Sequence, residues 1–569
     1  MTQPELLITQ PVGLHGFAID DSGRSQLAEM LSAGPGNEAA GAILDHVARL
    51  GGCYAIVEEP YTDQDYSSDY VNFYASAFKD YSRRTKRNHF FNADVADIFK
   101  QSISAQIEAL SGCKSYLGFT VVRPIRQSPI GRTILRFPDK IAGHTVRCAA
   151  RAKFRAHLLG AELHVEGAPF IQQDARVGAC AQAAIWMACR PIHERHRRSG
   201  WHAVSDITRL ATTPTDNELS AALPHGSKGL SPLHIVRALR GMGHQPYCAN
   251  YGDEDVDGSD ASAVADVVEA DASATGDPAA LEAGLLDTAI PTIVRYLDSA
   301  LPVILGMANI HHDERDGHAI TAVGYVESSA PVRAGDSYDC FVRALVVHDD
   351  QHGPYRLLAL TADDVAALPA DQLLRIDGEP VIAADEVTHI FVPLPPRVVR
   401  LGDHADLIAK EVVGKIRDQH LQLGQALKSL PKEAIDTLQA FFDLKDSGQL
   451  VFRTYLTTAA RYRHHLAAAA LPEDVKIRAI NRELPHFIWV TEILDRDASP
   501  GAPGEPRELL GHTVVNATSA IENDTDLLFA HLPHLDFQRD VNPKDGEGDF
   551  RDHFTGVKLG GSYRQRIRS

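Results

Sequence analysis

The sequence predicts an α+β protein that contains more than one domain. Its 569 residues correspond to roughly three or four units at about 150 residues per domain. A hydrophobic fraction of 44% and a charged fraction of 23% are ordinary for globular proteins, which excludes a fibrous or wholly disordered chain. Segments with helical spacing alternate with short β-branched segments, so we expect helices packed on antiparallel sheets.

The charge of the chain argues against nucleic acid as a partner. Lys and Arg number 56 against 75 Asp and Glu, which gives a net charge of −19 and no overall basic footprint. Between Arg240 and Arg295 there is no Lys or Arg, although eleven acidic residues occur there. We therefore predict a flexible acidic insertion at about residues 252–280.

The cysteines and the apolar segments predict a cytoplasmic protein. The seven cysteines are scattered and form no C-x-x-C pair, which argues against a disulfide framework and against a thiolate zinc site. The first residues show no basic segment followed by an apolar one, and no uncharged apolar run reaches the ~20 residues that span a bilayer. We expect neither a secretory signal nor a membrane partner.

Three regions are predicted along the chain. Residues 1–165 mix helices and strands, residues 166–397 carry the candidate chemistry, and residues 398–569 contain helices followed by strands. In the last region, Val451–Ala470 is predicted to be a helix with Arg453 on its outer face. Strands are predicted after this helix.

A candidate nucleophile, Cys180, begins a predicted helix. Residues 171–188 read IQQDARVGACAQAAIWMA, with good helix formers from Cys180 onward and Gly178 marking the turn before it. Unpaired backbone N–H groups and the helix dipole favour negative charge at a helix N-terminus. A thiolate is stabilised there, and the thiolate is the reactive form of cysteine. The alternative is a small buried cysteine, which is how we interpret Cys189.

A candidate base and its partner lie at the ends of two predicted strands. His318 is the first residue of a strand that continues to Tyr325, and the strand from Cys340 ends at Asp349 and Asp350. If Val326 pairs with Phe341, His318 faces Asp349 across the sheet at about 5.5 Å. A register slip of one residue selects Asp350 instead. A histidine oriented by a carboxylate beside a thiolate is a nucleophilic catalytic set.

These segments resemble papain-like cysteine peptidases. GHAITAVGY and the strand ending in VVHDD are similar to the histidine and aspartate strands of that superfamily, and QQDARVGACAQAAIWMA is similar to its cysteine block. The nearest branch is the bacterial one that processes double-glycine leader peptides. The resemblance covers about residues 165–397 and implies a papain-like core, in which a helix bundle carrying the cysteine packs on an antiparallel sheet carrying the histidine and aspartate.

The resemblance also implies roles for single residues. Cys180 is the expected nucleophile, His318 the general base and Asp349 the residue that orients His318. A glutamine is expected to complete the oxyanion hole with the Cys180 backbone N–H. The family's glutamine usually stands six residues before its cysteine, whereas Gln173 is seven before and Gln172 eight before. Gln173 is the preferred assignment.

The function expected from the resemblance is hydrolysis of a peptide or isopeptide bond in the cytoplasm through an acyl-enzyme on Cys180. No metal and no organic cofactor is implied, and the flanking regions are expected to bind a protein partner or select the protein or peptide substrate. Two alternatives are an acyltransferase or transglutaminase-like enzyme on the same triad, and a catalytically inactive peptide-binding module of the same fold.

Overall fold

The computed structural model describes the greater part of the chain. The described residues are 5–8, 13–32, 37–174, 179–196, 200–212, 230–251, 288–307, 317–420, 431–469, 471, 473–498, 507, 509–519, 526–541 and 550–556. The predicted acidic insertion at 252–280 lies outside these residues. Within them, no helix combines the length and the apolar character that crossing a bilayer requires.

The N-terminal region is built on a seven-stranded antiparallel sheet. Its strand order is β1-β2-β3-β4-β5-β6-β11. The strands are β1 Glu5–Ile8, β2 Gly13–Ala18, β3 Tyr54–Tyr61, β4 Thr85–Phe91, β5 Tyr116–Val122, β6 Ile130–Leu135, β7 Lys140–Ile141, β8 His144–Arg147, β9 Ala152–Leu158, β10 Ala161–Gly167 and β11 Pro169–Phe170. The helices are α1 Asp21–Ser32, α2 Glu38–Arg49, α3 Gln64–Asn72 and α4 Ile103–Ser111. Strands β9 and β10 form a separate hairpin.

The central region packs helices on an eight-stranded antiparallel sheet. Its elements are α5 Cys180–His196, α6 Val204–Thr212, α7 Pro232–Gly241, β12 Gln245–Asn250, α8 Ile290–Asp298, β13 Val303–Met307, β14 His318–Glu327, β15 Val342–Asp349, β16 Gly353–Ala359, α9 Ala362–Ala367, β17 Arg375–Ile376, β18 Glu379–Pro380, α10 Ala383–Glu386 and β19 Val387–Leu394. The main strand order is β12-β19-β13-β14-β15-β16. Strand β8 of the N-terminal region joins this sheet beside β14.

The pairing of β14 with β15 differs from the predicted register. Val326 pairs with Ala344 and not with Phe341, and Thr321 pairs with His348 at the other end of the ladder. Two irregularities interrupt this pairing, so no single register describes the whole ladder. The prediction that His318 stands directly opposite Asp349 is therefore wrong, because bulges shift a register that the sequence pattern alone leaves open.

The C-terminal region combines helices with a six-stranded antiparallel meander. Its elements are α11 Gly402–His420, α12 Lys432–Asp446, β20 Leu450–Thr458, α13 Ala459–Ala468, α14 Glu473–Ile480, β21 Phe487–Asp495, β22 Leu509–Asn516, β23 Leu527–Leu532, β24 Leu535–Val541 and β25 Phe550–Gly556. The predicted helix at Val451–Ala470 is wrong in its first half, which is strand β20. Thr458 ends this strand and caps α13 by accepting a hydrogen bond from the Arg461 N–H.

The hydrophobic cores join the three regions. One buried cluster contains residues of the N-terminal sheet together with α5 and the central sheet. Another contains α8 and the central sheet together with β20, β21 and β22. The mixed helices and antiparallel sheets agree with the predicted α+β class. Because each of these clusters contains apolar side chains of two regions, burial stabilises neighbouring regions jointly.

Two buried histidines lie where α2 meets the central sheet. His46 Nε2 donates a hydrogen bond to the Arg136 carbonyl at 2.9 Å, and its ring stacks on Tyr355. His348 Nδ1 donates to the Pro169 carbonyl at 3.0 Å. Burial lowers the pKa of His46 to about 4 and that of His348 to about 3. Both rings are therefore neutral in the folded protein near neutral pH.

We predict that His46 contributes to acid denaturation. An unfolded histidine has a pKa of about 6.5, so between pH 6.5 and 4 the unfolded chain binds more protons and stability falls as pH falls. His46→Gln keeps a side-chain amide donor but does not titrate. Its melting temperature should fall less between pH 7 and pH 4.5 than that of the wild type. The exposed His157→Gln serves as control, and an equal fall in His46→Gln and wild type would contradict the prediction.

Candidate active site

Helix α5 begins at Cys180, as the sequence predicts. The Ala179 N–H donates to Gln182 Oε1 at 3.1 Å, and the Ala183 N–H donates to the Ala179 carbonyl. Gln182 is the third residue of the helix, and its side chain folds back to the N-terminus. It thereby accepts a hydrogen bond from one of the N–H groups that have no partner within the helix. Cys180 is half-buried at this end, whereas Cys189 in the same helix is buried.

The N-terminal region anchors α5. Asp65 in α3 accepts hydrogen bonds from Trp186 Nε1 and from the Arg190 guanidinium, both on α5. The Arg190 guanidinium also lies over the Trp186 ring. Since all three side chains are buried, these charge-assisted contacts limit movement of the helix that carries Cys180.

Strand β14 brings His318 to the same place. His318 is its first residue and pairs with Met307 of β13. One turn into α5, the Ala184 carbonyl accepts a hydrogen bond from Thr321 Oγ1 at 3.1 Å, which fixes the strand against the helix. The His318 ring is 3% exposed and is therefore held by protein on nearly every side.

His318 contacts both of its predicted partners. Its Nε2 atom lies 3.0 Å from Asp349 Oδ2, and its side chain also interacts with Cys180. Burial opposes a charged ring, but the adjacent Asp349 carboxylate outweighs that effect and raises the pKa of His318 well above its usual value. The environment therefore favours the charged ring, and Nε2 is the nitrogen that faces Asp349.

Asp349 is fully buried, and its carboxylate accepts several hydrogen bonds. Its Oδ1 atom accepts hydrogen bonds from the Gln351 N–H at 2.8 Å and the His352 N–H at 3.0 Å. Burial by itself raises the pKa of a carboxyl, but the charge and hydrogen bond of His318 hold the pKa of Asp349 well below its usual value. Asp349 is therefore ionised and oriented before any substrate binds.

Asp350, the alternative to Asp349, lies farther from the ring. Its Oδ1 is 3.7 Å from His318 Nε2, and neither carboxyl oxygen has a hydrogen-bond partner among the described residues. Burial raises the pKa of Asp350 to about 7, with Asp349 adding to the rise and His318 opposing it. The geometry therefore favours Asp349 as the partner of His318.

The two candidate glutamines have different surroundings. The Gln172 side-chain amide is engaged with Asn37 and with the Ile130 N–H at 3.3 Å. Both glutamines line a small pocket together with Ala179, the residue before Cys180. The side chain of Gln172 is thus engaged by the N-terminal region, and the role of Gln173 in an oxyanion hole stays a prediction.

His352 is a second histidine next to Asp349, and the sequence analysis does not predict it there. His352 Nδ1 lies 3.1 Å from Asp349 Oδ1, on the opposite side of the carboxylate from His318. It occurs in the turn between β15 and β16, three residues after Asp349. The segment HDDQH shows that a histidine is present, but only the turn conformation brings its ring back to the carboxylate.

One group of side chains in the described residues has the types and spacing of metal ligands. His318, Asp349 and Asp350 each offer one atom, and these atoms lie within 4.8 Å of one another. A nitrogen and two carboxylate oxygens suit several divalent cations. The same His318 nitrogen and Asp349 oxygen are at hydrogen-bond distance, so these two residues also interact directly.

Comparisons with known proteins found no match to this chain. No family model matches the chain, no curated protein matches it and no solved structure matches it. The chemistry of the site is therefore argued from the contacts of its own residues.

Proposed function

We propose that the protein is a cysteine peptidase with a papain-like catalytic core, which hydrolyses a peptide or isopeptide bond. The observation that carries this proposal is the contact of His318 with Cys180 on one side and with Asp349 on the other. A helix N-terminus beside an imidazolium is a setting that favours a thiolate. The cytoplasmic location predicted from the sequence is part of the same proposal.

The first half of the reaction would use His318 as an acid. The Cys180 thiolate attacks the carbonyl carbon, and the oxyanion accepts hydrogen bonds from the Cys180 N–H and from a glutamine, for which Gln173 is our candidate. The C–N bond then breaks as the His318 imidazolium gives its proton to the leaving amine. The products are a free amine and a thioester on Cys180.

The second half would use His318 as a base. The neutral imidazole takes a proton from water, and the oxygen of that water attacks the thioester carbonyl. The carbon–sulfur bond breaks, which releases the carboxylic acid and restores the thiolate and imidazolium. Asp349 keeps the ring oriented and stabilises its positive charge throughout, without itself taking a proton.

The exposure of the three side chains supports this division of roles. Cys180 is half-buried, whereas His318 and Asp349 are buried. A substrate carbonyl can therefore approach the sulfur while water is kept away from the imidazolium–carboxylate pair. Exclusion of water strengthens the electrostatic interaction between the two groups.

We predict that iodoacetamide alkylates Cys180 much faster than the other cysteines. Cys53 is exposed, so it controls for access, but burial and Asp94 raise its pKa. Burial raises the pKa of Cys189 to about 12, so it controls for position on the same helix. At pH 6 the rate at Cys180 should exceed the rate at Cys53 by about 100-fold, because only a thiolate reacts. Peptide mapping by mass spectrometry measures both rates in one sample.

Equal rates and equal pH dependence at Cys180 and Cys53 would contradict the proposed mechanism. The Cys180→Ser variant cannot be alkylated at this position, so its peptide map gives the background for the signal of the modified Cys180 peptide. An electrophilic peptide probe should form its adduct on the same cysteine, and a probe that reacts with the protein elsewhere would also count against the proposal. Addition of a primary amine then separates hydrolysis from acyl transfer, since only a transferase retains the acyl group on the amine.

A further inference from the structure

Asp349 stands between two imidazole rings. His318 Nε2 lies 3.0 Å from its Oδ2 atom, and His352 Nδ1 lies 3.1 Å from its Oδ1 atom. The proposed mechanism uses the first ring and gives no role to the second. The Oδ1 atom also accepts the Gln351 and His352 N–H groups, so the His352 ring adds a third contact on the oxygen opposite His318.

The second ring also approaches the N-terminal region. His352 Nε2 lies 3.7 Å from the Glu38 carboxylate, at the first turn of α2. Next to Glu38, the Asn37 side chain caps α2 and contacts the amide of Gln172. The start of α2 therefore reaches the Asp349 turn through Glu38 and the glutamine segment through Asn37.

We propose that His352 is a positioning residue, which holds the Asp349 carboxylate in the orientation that His318 requires. This inference rests on the proposed function. The recorded side-chain contacts of His352 are with Asp349 and Glu38, so it would act on His318 through Asp349. The contact from Glu38 makes the N-terminal region part of the arrangement that supports the catalytic residues.

The charges around His352 favour its bound position. Asp349 and Glu38 face the ring, and His318, Asp350 and Arg356 are further titratable groups that interact with this cluster. Burial lowers the pKa of His352, but Asp349 and Glu38 outweigh that effect and the pKa is raised. The His352 ring thus lies within ion-pair distance of both carboxylates.

The test measures the alkylation of Cys180 in the full chain at pH 6 and pH 9. His352→Ala removes the contact, and His352→Asn replaces Nδ1 by an amide nitrogen at nearly the same place. The exposed His157→Ala is the matched control. We expect His352→Ala to slow alkylation about tenfold at pH 6, the effect of one lost charge-assisted contact. At pH 9 the rates should converge because most thiols are then ionised, and His352→Asn should recover most of the loss.

Each outcome decides one claim. An unchanged rate at pH 6 in His352→Ala overturns the positioning role, and so does a loss that His352→Asn fails to recover. A change of similar size at both pH values, together with a lower melting temperature, indicates damage to the fold and also overturns it. If the wild-type Cys180 reacts at pH 6 no faster than Cys53, the proposed function fails first, and this inference fails with it.

Discussion

Replacing His318 with alanine is expected to slow the alkylation of Cys180 at pH 6 by about 100-fold. An ordinary cysteine with a pKa of about 8.5 is only about 0.3% ionised at that pH, so the thiolate available for alkylation becomes scarce. The fall in rate is slightly smaller than the fall in thiolate fraction, because a more basic thiolate is more nucleophilic. Hydrolysis of any peptide substrate should fall by roughly 10³- to 10⁶-fold, since the proton donor for the leaving amine is removed. The melting temperature and the iodoacetamide rate of Cys53 provide the controls.

The two aspartates beside His318 refine this prediction. Asp349→Asn removes the charge at 3.0 Å from the ring and should cause most of the loss seen in His318→Ala. Asp350→Asn should have a much smaller effect, because its nearest oxygen is 3.7 Å away. Retention of fast alkylation at pH 6 in His318→Ala would remove His318 from the mechanism. A larger loss in Asp350→Asn than in Asp349→Asn would reverse the assignment of the orienting residue.

Replacing Arg453 with methionine is expected to destabilise the protein by about 3–5 kcal/mol. Arg453 is buried between the central and C-terminal regions, where it makes two hydrogen bonds to Asp298 at 2.7 and 2.6 Å and one to Glu492 at 3.1 Å. Its removal leaves two buried carboxylates without their counter-charge. Urea denaturation followed by tryptophan fluorescence, supported by the melting temperature, measures the effect.

A compensated variant separates the charge from the packing. Adding Asp298→Asn and Glu492→Gln to Arg453→Met removes the unpaired charges and should recover part of the lost stability. Burying neutral amides costs less free energy than burying carboxylates that have no counter-charge. The exposed pair of Arg417 and Asp446 is the matched control, and Arg417→Met should scarcely move the denaturation midpoint. Equal effects of the Arg453 and Arg417 variants would contradict a structural role for the buried network.

The candidate nucleophile and base could be predicted because their local signals are strong. Good helix formers begin at Cys180, and an apolar β-branched run begins at His318. Both elements start at those residues in the structure. Each signal lies within about ten residues, where backbone preference and side-chain periodicity operate.

Arg453 shows where local signals fail. The segment VFRTYLTT, which begins at Val451, is predicted as helix with its arginine in solvent, but it belongs to strand β20 and the arginine is buried. The two carboxylates that make this burial tolerable come from α8 and β21, both distant in sequence. A pattern of apolar and polar residues cannot indicate that a charge will be paired inside the protein.

The amino-acid sequence alone determined the chemical types at the candidate site, the helix that starts at Cys180, the strand that starts at His318 and the α+β class. Tertiary structure alone decided the pairing of β14 with β15, the choice of Asp349 over Asp350 as the nearer partner of His318, and the place of His352 on the other side of the carboxylate. Short-range preferences act between neighbours along the chain, whereas register, burial and charge pairing depend on groups that meet only when the chain has folded.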